Sequence, residues 1–143
     1  MTAPISARLA AVVDALPLRP GLRVLEIGCG PGVAARAVAS RIGDGFVLAT
    51  DRSARAVAQA RAGSAAEIGA GTMGVRQVAA EHIELEPGEE PYHLAFAVRV
   101  GAFDGRHPES GRQALVRLET VLVSGGVLYV DGGSPLRTLT VGG

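Results

Sequence analysis

The run Leu22-Arg23-Val24-Leu25-Glu26-Ile27 breaks directly into Gly28-Cys29-Gly30-Pro31-Gly32, after which Val33, Ala34, Ala37, Val38 and Ile42 recur at helical spacing. A short run rich in branched apolar residues reads as a buried strand. Three glycines at alternate positions let the chain reverse sharply and leave no side chain between the backbone and a ligand. The helix that follows presents unbonded N–H groups at its start. The dinucleotide fingerprint G-x-G-x-x-G would place glycine where this chain has Val33. The pattern is instead G-x-G-x-G, with an acid, Glu26, two residues before the first glycine.

The same alternation runs through the chain. Ile5, Leu9, Val12, Val13 and Leu16 mark an amphipathic helix, with Pro4 in its first turn and a stop at Pro17–Gly21. Phe46–Thr50, Val75–Ala79, Leu94–Val98 and Val127–Val130 read as further strands. Ser53 caps an alanine-rich helix that runs to about Arg61. Ser110-Gly111-Arg112-Gln113 has capping-box spacing and precedes Leu115, Leu118, Val121 and Leu122 on one helical face. Glu84–Pro91 reads as an exposed acidic connection, and Leu136–Val141 as a short strand at most. Strands alternating with helices predict an α/β fold: a three-layer sandwich around a mostly parallel, five-stranded sheet. Such sheets bind ligands beyond the carboxyl ends of their strands. The segments that matter are therefore 28–32, 51–53, 81–82, 99–107 and 131–134.

The chain's 143 residues make one domain, 1–143, in which 1–20 form the first helix and an entry loop, and 132–143 a short tail. Hydrophobic residues at 48% and charged ones at 20% exclude an intrinsically disordered chain. A net charge of zero, with scattered arginines, argues against nucleic acid as the main partner. A lone cysteine, Cys29, makes no internal disulfide and fits a reducing compartment. The amino-terminal segment lacks the charged and apolar regions of a signal peptide, and no apolar run is long enough to span a bilayer. These features predict a cytoplasmic protein without membrane contact. The absence of lysine, asparagine and tryptophan reads as the codon bias of a high-GC bacterial genome.

Val24-Leu25-Glu26-Ile27-Gly28-Cys29-Gly30-Pro31-Gly32 resembles motif I of the class I, Rossmann-like S-adenosylmethionine-dependent methyltransferases, V-L-D/E-I/L-G-C-G-x-G, at every position. Val123-Ser124-Gly125-Gly126-Val127-Leu128 is similar to that family's L-x-P-G-G-x-L turn, with Ser124 in place of proline. The resemblance implies strand order 3-2-1-4-5, S-adenosyl-L-methionine as cofactor and S-adenosyl-L-homocysteine as product. It also implies a cofactor site made of Glu26, Gly28, Cys29, Gly30, Gly32, Asp51, Arg52, Glu81, His82 and Val98. Within it Asp51 would hold both ribose hydroxyls, since a carboxylate accepts two hydrogen bonds from a diol. Glu81 would meet the adenine amino group, with the His82 backbone N–H facing the ring. Cys29 reads as a small filler of the turn rather than a reactive thiol.

The family pattern breaks in three places. Where it has F-D-L-V this chain has Tyr92-His93-Leu94, which makes His93 structural. Ala97-Val98-Arg99 carries none of the D/N-P-P-Y motif used on nucleobase or glutamine amino groups. Only twelve residues follow Asp131, so most or all of the usual strand 6/7 hairpin is missing and strand five becomes a sheet edge. Either Leu136–Val141 folds back over that edge, or a second copy docks there as a homodimer, which is the favoured reading; a truncated product is the third. No metal site is expected. The catalytic group is open: Asp104 and His107 are candidate bases, and Arg99 a candidate anchor for an anionic substrate. The expected reaction is methyl transfer to a small-molecule or natural-product acceptor. The alternative is a non-catalytic S-adenosylmethionine-binding module or a partner-dependent subunit, while Val33 disfavours a dinucleotide binder.

Overall fold

The computed structural model describes residues 5–141. Pro4, expected in the first helical turn, lies outside the described residues. Helix α1 spans Ala7–Ala15, and Ser6 caps it by accepting the Leu9 N–H at 3.2 Å. There follow β1 (Arg23–Ile27), α2 (Val33–Ala39), β2 (Phe46–Asp51), α3 (Ala54–Gly63), α4 (Ala65–Gly69) and β3 (Met73–Gln77). A single 3₁₀ turn at Ala80–His82 leads on to β4 (Tyr92–Ala97), α5 (Pro108–Val121), β5 (Leu122–Asp131) and β6 (Leu136–Leu139).

The sheet has six strands in the order 3-2-1-4-5-6. Five are parallel, and β6 runs antiparallel to β5, with Leu128 opposite Leu139 and Asp131 opposite Leu136. This corrects the five-stranded expectation. The tail itself covers the β5 edge, so the homodimer predicted through that edge finds it already paired. The start of α5 also differs from the expectation: it begins at Pro108 with His107 as its N-cap, so Ser110 lies inside the helix and caps nothing. Proline's fixed φ suits the first helical position and outweighs the capping-box spacing. β3 begins two residues earlier than predicted and β5 five earlier, the latter through an irregularity between the Tyr92 and Leu94 pairings.

Each face of the sheet buries its own core, because successive strand residues point to opposite sides. On one face Val24, Val47, Ala49 and Phe96 pack beneath Val13, Ala35, Val38 and Ala60 of α1, α2 and α3. On the other, Leu25, Leu48, Ala95 and Leu128 pack beneath Ala114, Leu118 and Val121 of α5. At the amino ends of the strands, the acidic connection is tied down rather than loose. Arg76 makes two hydrogen bonds of 3.1 Å to Glu89, which also accepts from the Tyr92 hydroxyl at 2.5 Å. His93 is structural as predicted, its Nδ1 accepting the Arg23 N–H at 2.9 Å. The opposite, carboxyl ends are thereby left for the site.

Leu128→Ala tests the second core. The side chain is fully buried on β5 against the tail strand, and its truncation is expected to cost about 2–5 kcal/mol in urea unfolding.

Candidate cofactor cleft

Beyond the carboxyl ends of β1, β2 and β4 lie two cavities of about 300 and 280 Å³, and Gly28 lines both. The turn between β1 and α2 is built by left-handed backbone: Gly28, Gly30 and Gly32 have φ of +75°, +53° and +87°. Only glycine adopts this region freely. A Cβ on Gly28 would sit 2.6 Å from Val100 Cγ2, so the turn and the β4 exit touch without a gap. A Cβ on Gly30 would meet nothing within 4 Å, leaving its backbone open to a ligand. Gly32 differs. It is buried as the N-cap of α2, lines neither cavity, and faces Ala60, Ser64 and Arg36.

Asp51 closes β2 at the first cavity. Its Oδ2 accepts the Gly30 N–H and its Oδ1 the Ser53 N–H, both at 2.9 Å. Those bonds fix the carboxylate plane, and each oxygen keeps acceptor capacity for a second partner. Arg52 and Glu81 line the same cavity, with Val78, Ala80 and Ala102 as its apolar part. His82 does not join them: it is exposed, lines neither cavity, and spends its N–H on the Ala79 carbonyl at 3.0 Å within the 3₁₀ turn. The expectation that this N–H faces a ring is therefore corrected.

Glu26 lines the second cavity with Cys29, Gly30, Val98 and Arg99. Its side chain is buried, and Oε1 has no hydrogen-bond partner. Burial, and then the charge of Asp51, push its pKa up from 4.5 to about 8, against a lowering by the Ala35 N–H. A buried polar atom without a partner is costly and uncommon, and it marks a place where a donor belongs. Cys29 is buried too; burial, Glu26 and Asp51 raise its thiol to about 12. A thiol with so high a pKa is a weak nucleophile at neutral pH, which fits a small filler of the turn.

Of the three catalytic candidates, Arg99 lines the second cavity and His107 the first. Asp104 lines neither. Its carboxylate is occupied by Arg106, whose Nε donates to Oδ1 and Oδ2 at 2.9 and 2.8 Å. That bond holds its pKa below the usual carboxylate range, which makes it a poor base. The cleft also contains residues that sequence reasoning passed over. Arg106 and Ser110 reach the first cavity, and Ser6, Arg8 and Leu9 of the α1 start reach the second. Arg106 adjoins His107 in a loop already marked for inspection. Nothing local signals Arg8, which depends on how α1 packs.

Residues 24–126 match the family model described as a methyltransferase domain. The chain belongs to the class I S-adenosylmethionine-dependent methyltransferases. Nocamycin O-methyltransferase of Saccharothrix syringae is 38% identical over 101 residues, 71% of this chain and 30% of that protein. Among solved structures, YcgJ of Bacillus subtilis superposes with a TM-score of 0.69 at 20% identity, over 86% of this chain and 49% of that one. Phosphoethanolamine N-methyltransferase 1 of Haemonchus contortus, solved with phosphoethanolamine and S-adenosylhomocysteine, gives 0.71 at 19% identity, over 86% and 24%. At such identities the two structures establish the methyltransferase fold alone. The chain spans less than a third of the curated relative and at most half of these two structures. The residues present fit the family's cofactor: an open glycine backbone, an orphaned carboxyl oxygen on one side of it and an anchored carboxylate on the other. Among the described residues, no helix is long and apolar enough to cross a membrane.

Two variants test this geometry. Folded Glu26 keeps its proton to about pH 8, whereas the unfolded group loses it near 4.5. The folded state thus binds the extra proton between those values, and stability falls as pH rises through that window. Glu26→Gln is expected to melt above the parent by several degrees at about pH 8.5 and level with it at about pH 4, by calorimetry. Gly28→Ala is expected to destabilise by about 1–3 kcal/mol, through left-handed strain and overlap with Val100. Adding Val100→Ala should restore only the overlap part, in a double-mutant unfolding series.

Proposed function

We propose that this chain carries a methyl group from S-adenosylmethionine to a small-molecule or natural-product acceptor, with oxygen the favoured atom. The observation behind this reading is the split cleft: Glu26 lines one cavity, Asp51 the other, and Gly28 joins them. An adenosyl cofactor has a diol at one end of its ribose and an ammonium at its amino-acid end, and the two carboxyl groups suit them in turn. Asp51 would hold the ribose hydroxyls, Glu81 the adenine amino group, and Glu26, with its unpartnered Oε1, the ammonium. Val78, Ala80 and Ala102 supply apolar contact for the base. The likeness to Nocamycin O-methyltransferase supports oxygen and natural-product chemistry.

The cofactor supplies an electrophilic methyl on a positively charged sulfur. The chain's own task is to hold the acceptor in line with it, and alignment of that kind is worth about 7–11 kcal/mol in ideal intramolecular cases. Where the acceptor is a hydroxyl, His107 takes its proton; it is the one candidate base that lines the cleft. Arg99 contributes a cation to the lining of the second cavity.

Titration calorimetry with S-adenosylmethionine, S-adenosylhomocysteine and NAD tests the cofactor. Micromolar affinity for both adenosyl ligands and none for NAD is expected, and Asp51→Ala should weaken it about 100-fold by losing two charge-assisted hydrogen bonds. No heat from a folded chain would sink the assignment. Transfer of labelled methyl to a panel of phenols, carboxylic acids and amines then tests the acceptor. Binding without transfer to any of them would support the cofactor-binding module instead.

A further inference from the structure

Asp131, the last residue of β5, lines neither cavity, yet it joins two parts of the second one. Its Oδ2 lies 3.2 Å from Nη2 of Arg8 on α1, and its Oδ1 accepts the backbone N–H of Arg99 at 3.1 Å. Both arginines line the cavity that contains Glu26. The carboxylate is mostly shielded, its side chain 17% exposed against 58% for Arg8. Arg99 is the one non-glycine residue with positive φ, +58°, among the described residues. An L-residue persists in that conformation only when its surroundings hold it there. Here both of its backbone groups are held, the N–H by Asp131 and the carbonyl by Nη2 of Arg106 at 3.1 Å. The next residue, Val100, is the one pressed against Gly28.

We propose that Asp131 is a positioning residue for the cofactor cleft, whose carboxylate holds α1 and the β4 exit together over the glycine turn. The inference rests on the cofactor reading above and adds a residue that acts through Arg8 and Arg99 rather than by contact. Losing Asp131 frees α1 from one wall and lets Arg99 relax from its left-handed backbone, which withdraws Val100 from Gly28. Ligand affinity then falls although every contacting side chain is still present.

The test uses the full chain and S-adenosylhomocysteine as the probe. Asp131→Ala is expected to raise its dissociation constant about tenfold, as befits loss of a charge-assisted pair. Asp131→Asn keeps an acceptor for the Arg99 N–H and loses the ion pair, so it should match Arg8→Ala. Combining Arg8→Ala with Asp131→Asn should add nothing further. The Arg99 amide proton, shifted downfield by its carboxylate bond, should move upfield in Asp131→Ala and much less in Asp131→Asn. Unchanged affinity in Asp131→Ala, or a lower melting temperature without a change in affinity, overturns the proposal. So does an Arg99 amide signal insensitive to Asp131. If Asp131→Ala does not fold, additive losses from Arg8→Ala and Asp131→Asn overturn it equally. Failure of the unaltered chain to bind the probe overturns the cofactor reading first, and this role falls with it.

Discussion

The hydrogen bond from the Gly30 N–H to Asp51 ties the turn after β1 to the end of β2. Nearly everything in the cleft hangs on that join. β1 sits between β2 and β4 in the sheet, so the turn it launches has the acid of β2 on one side and the exit of β4 on the other. A turn of three left-handed glycines has many shapes open to it. The Asp51 carboxylate selects one by accepting from Gly30 and Ser53 together. Val100 presses on Gly28 from the opposite side. A loop that composition alone would call loose is thus pinned at both ends.

The same arrangement sets the electrostatics. Three titratable groups, Glu26, Cys29 and Asp51, crowd beneath and beside the turn, and the burial that makes the turn rigid also raises the first two. Glu26 is the costly member. It would be better replaced by an apolar residue if stability were all that mattered, and its orphaned oxygen has no use inside the free chain. Sites that work against stability in this way are where function concentrates. Around them the backbone carbonyls are satisfied: Thr50 Oγ1 donates to that of Glu26, and the Cys29 N–H to that of Thr50.

Much of this was legible because it is local. Strand, glycine turn and helix follow each other within twenty residues, and Glu26 and Asp51 stand at fixed places relative to them. The misreadings come from competition or from distance. Ser110 carries a capping pattern, but Pro108 stands two residues earlier and fixes where α5 begins. His82 follows Glu81 in sequence, yet a 3₁₀ turn engages its N–H with the Ala79 carbonyl. Gly32 has the spacing of a ligand-facing glycine and the surroundings of a packing one. The pairing of Leu136–Leu139 with β5 and the reach of Arg8 to Asp131 are long-range facts. Periodicity and capping carry no information about either.

The burial of Cys29 has one more consequence. A site that accommodates an electrophilic alkyl donor is a hazard to any nucleophile of its own, and sulfur is the most nucleophilic atom a side chain offers. The turn places a thiol in its middle, where a residue of that size packs well. Buried beside two carboxyl groups, the thiol holds its proton until about pH 12, and the thiolate that would attack is all but absent at neutral pH. The crevice is chemically quiet toward its own reagent. The low-dielectric packing that shapes the turn also keeps this thiol protonated and so disfavours its attack on an alkyl donor.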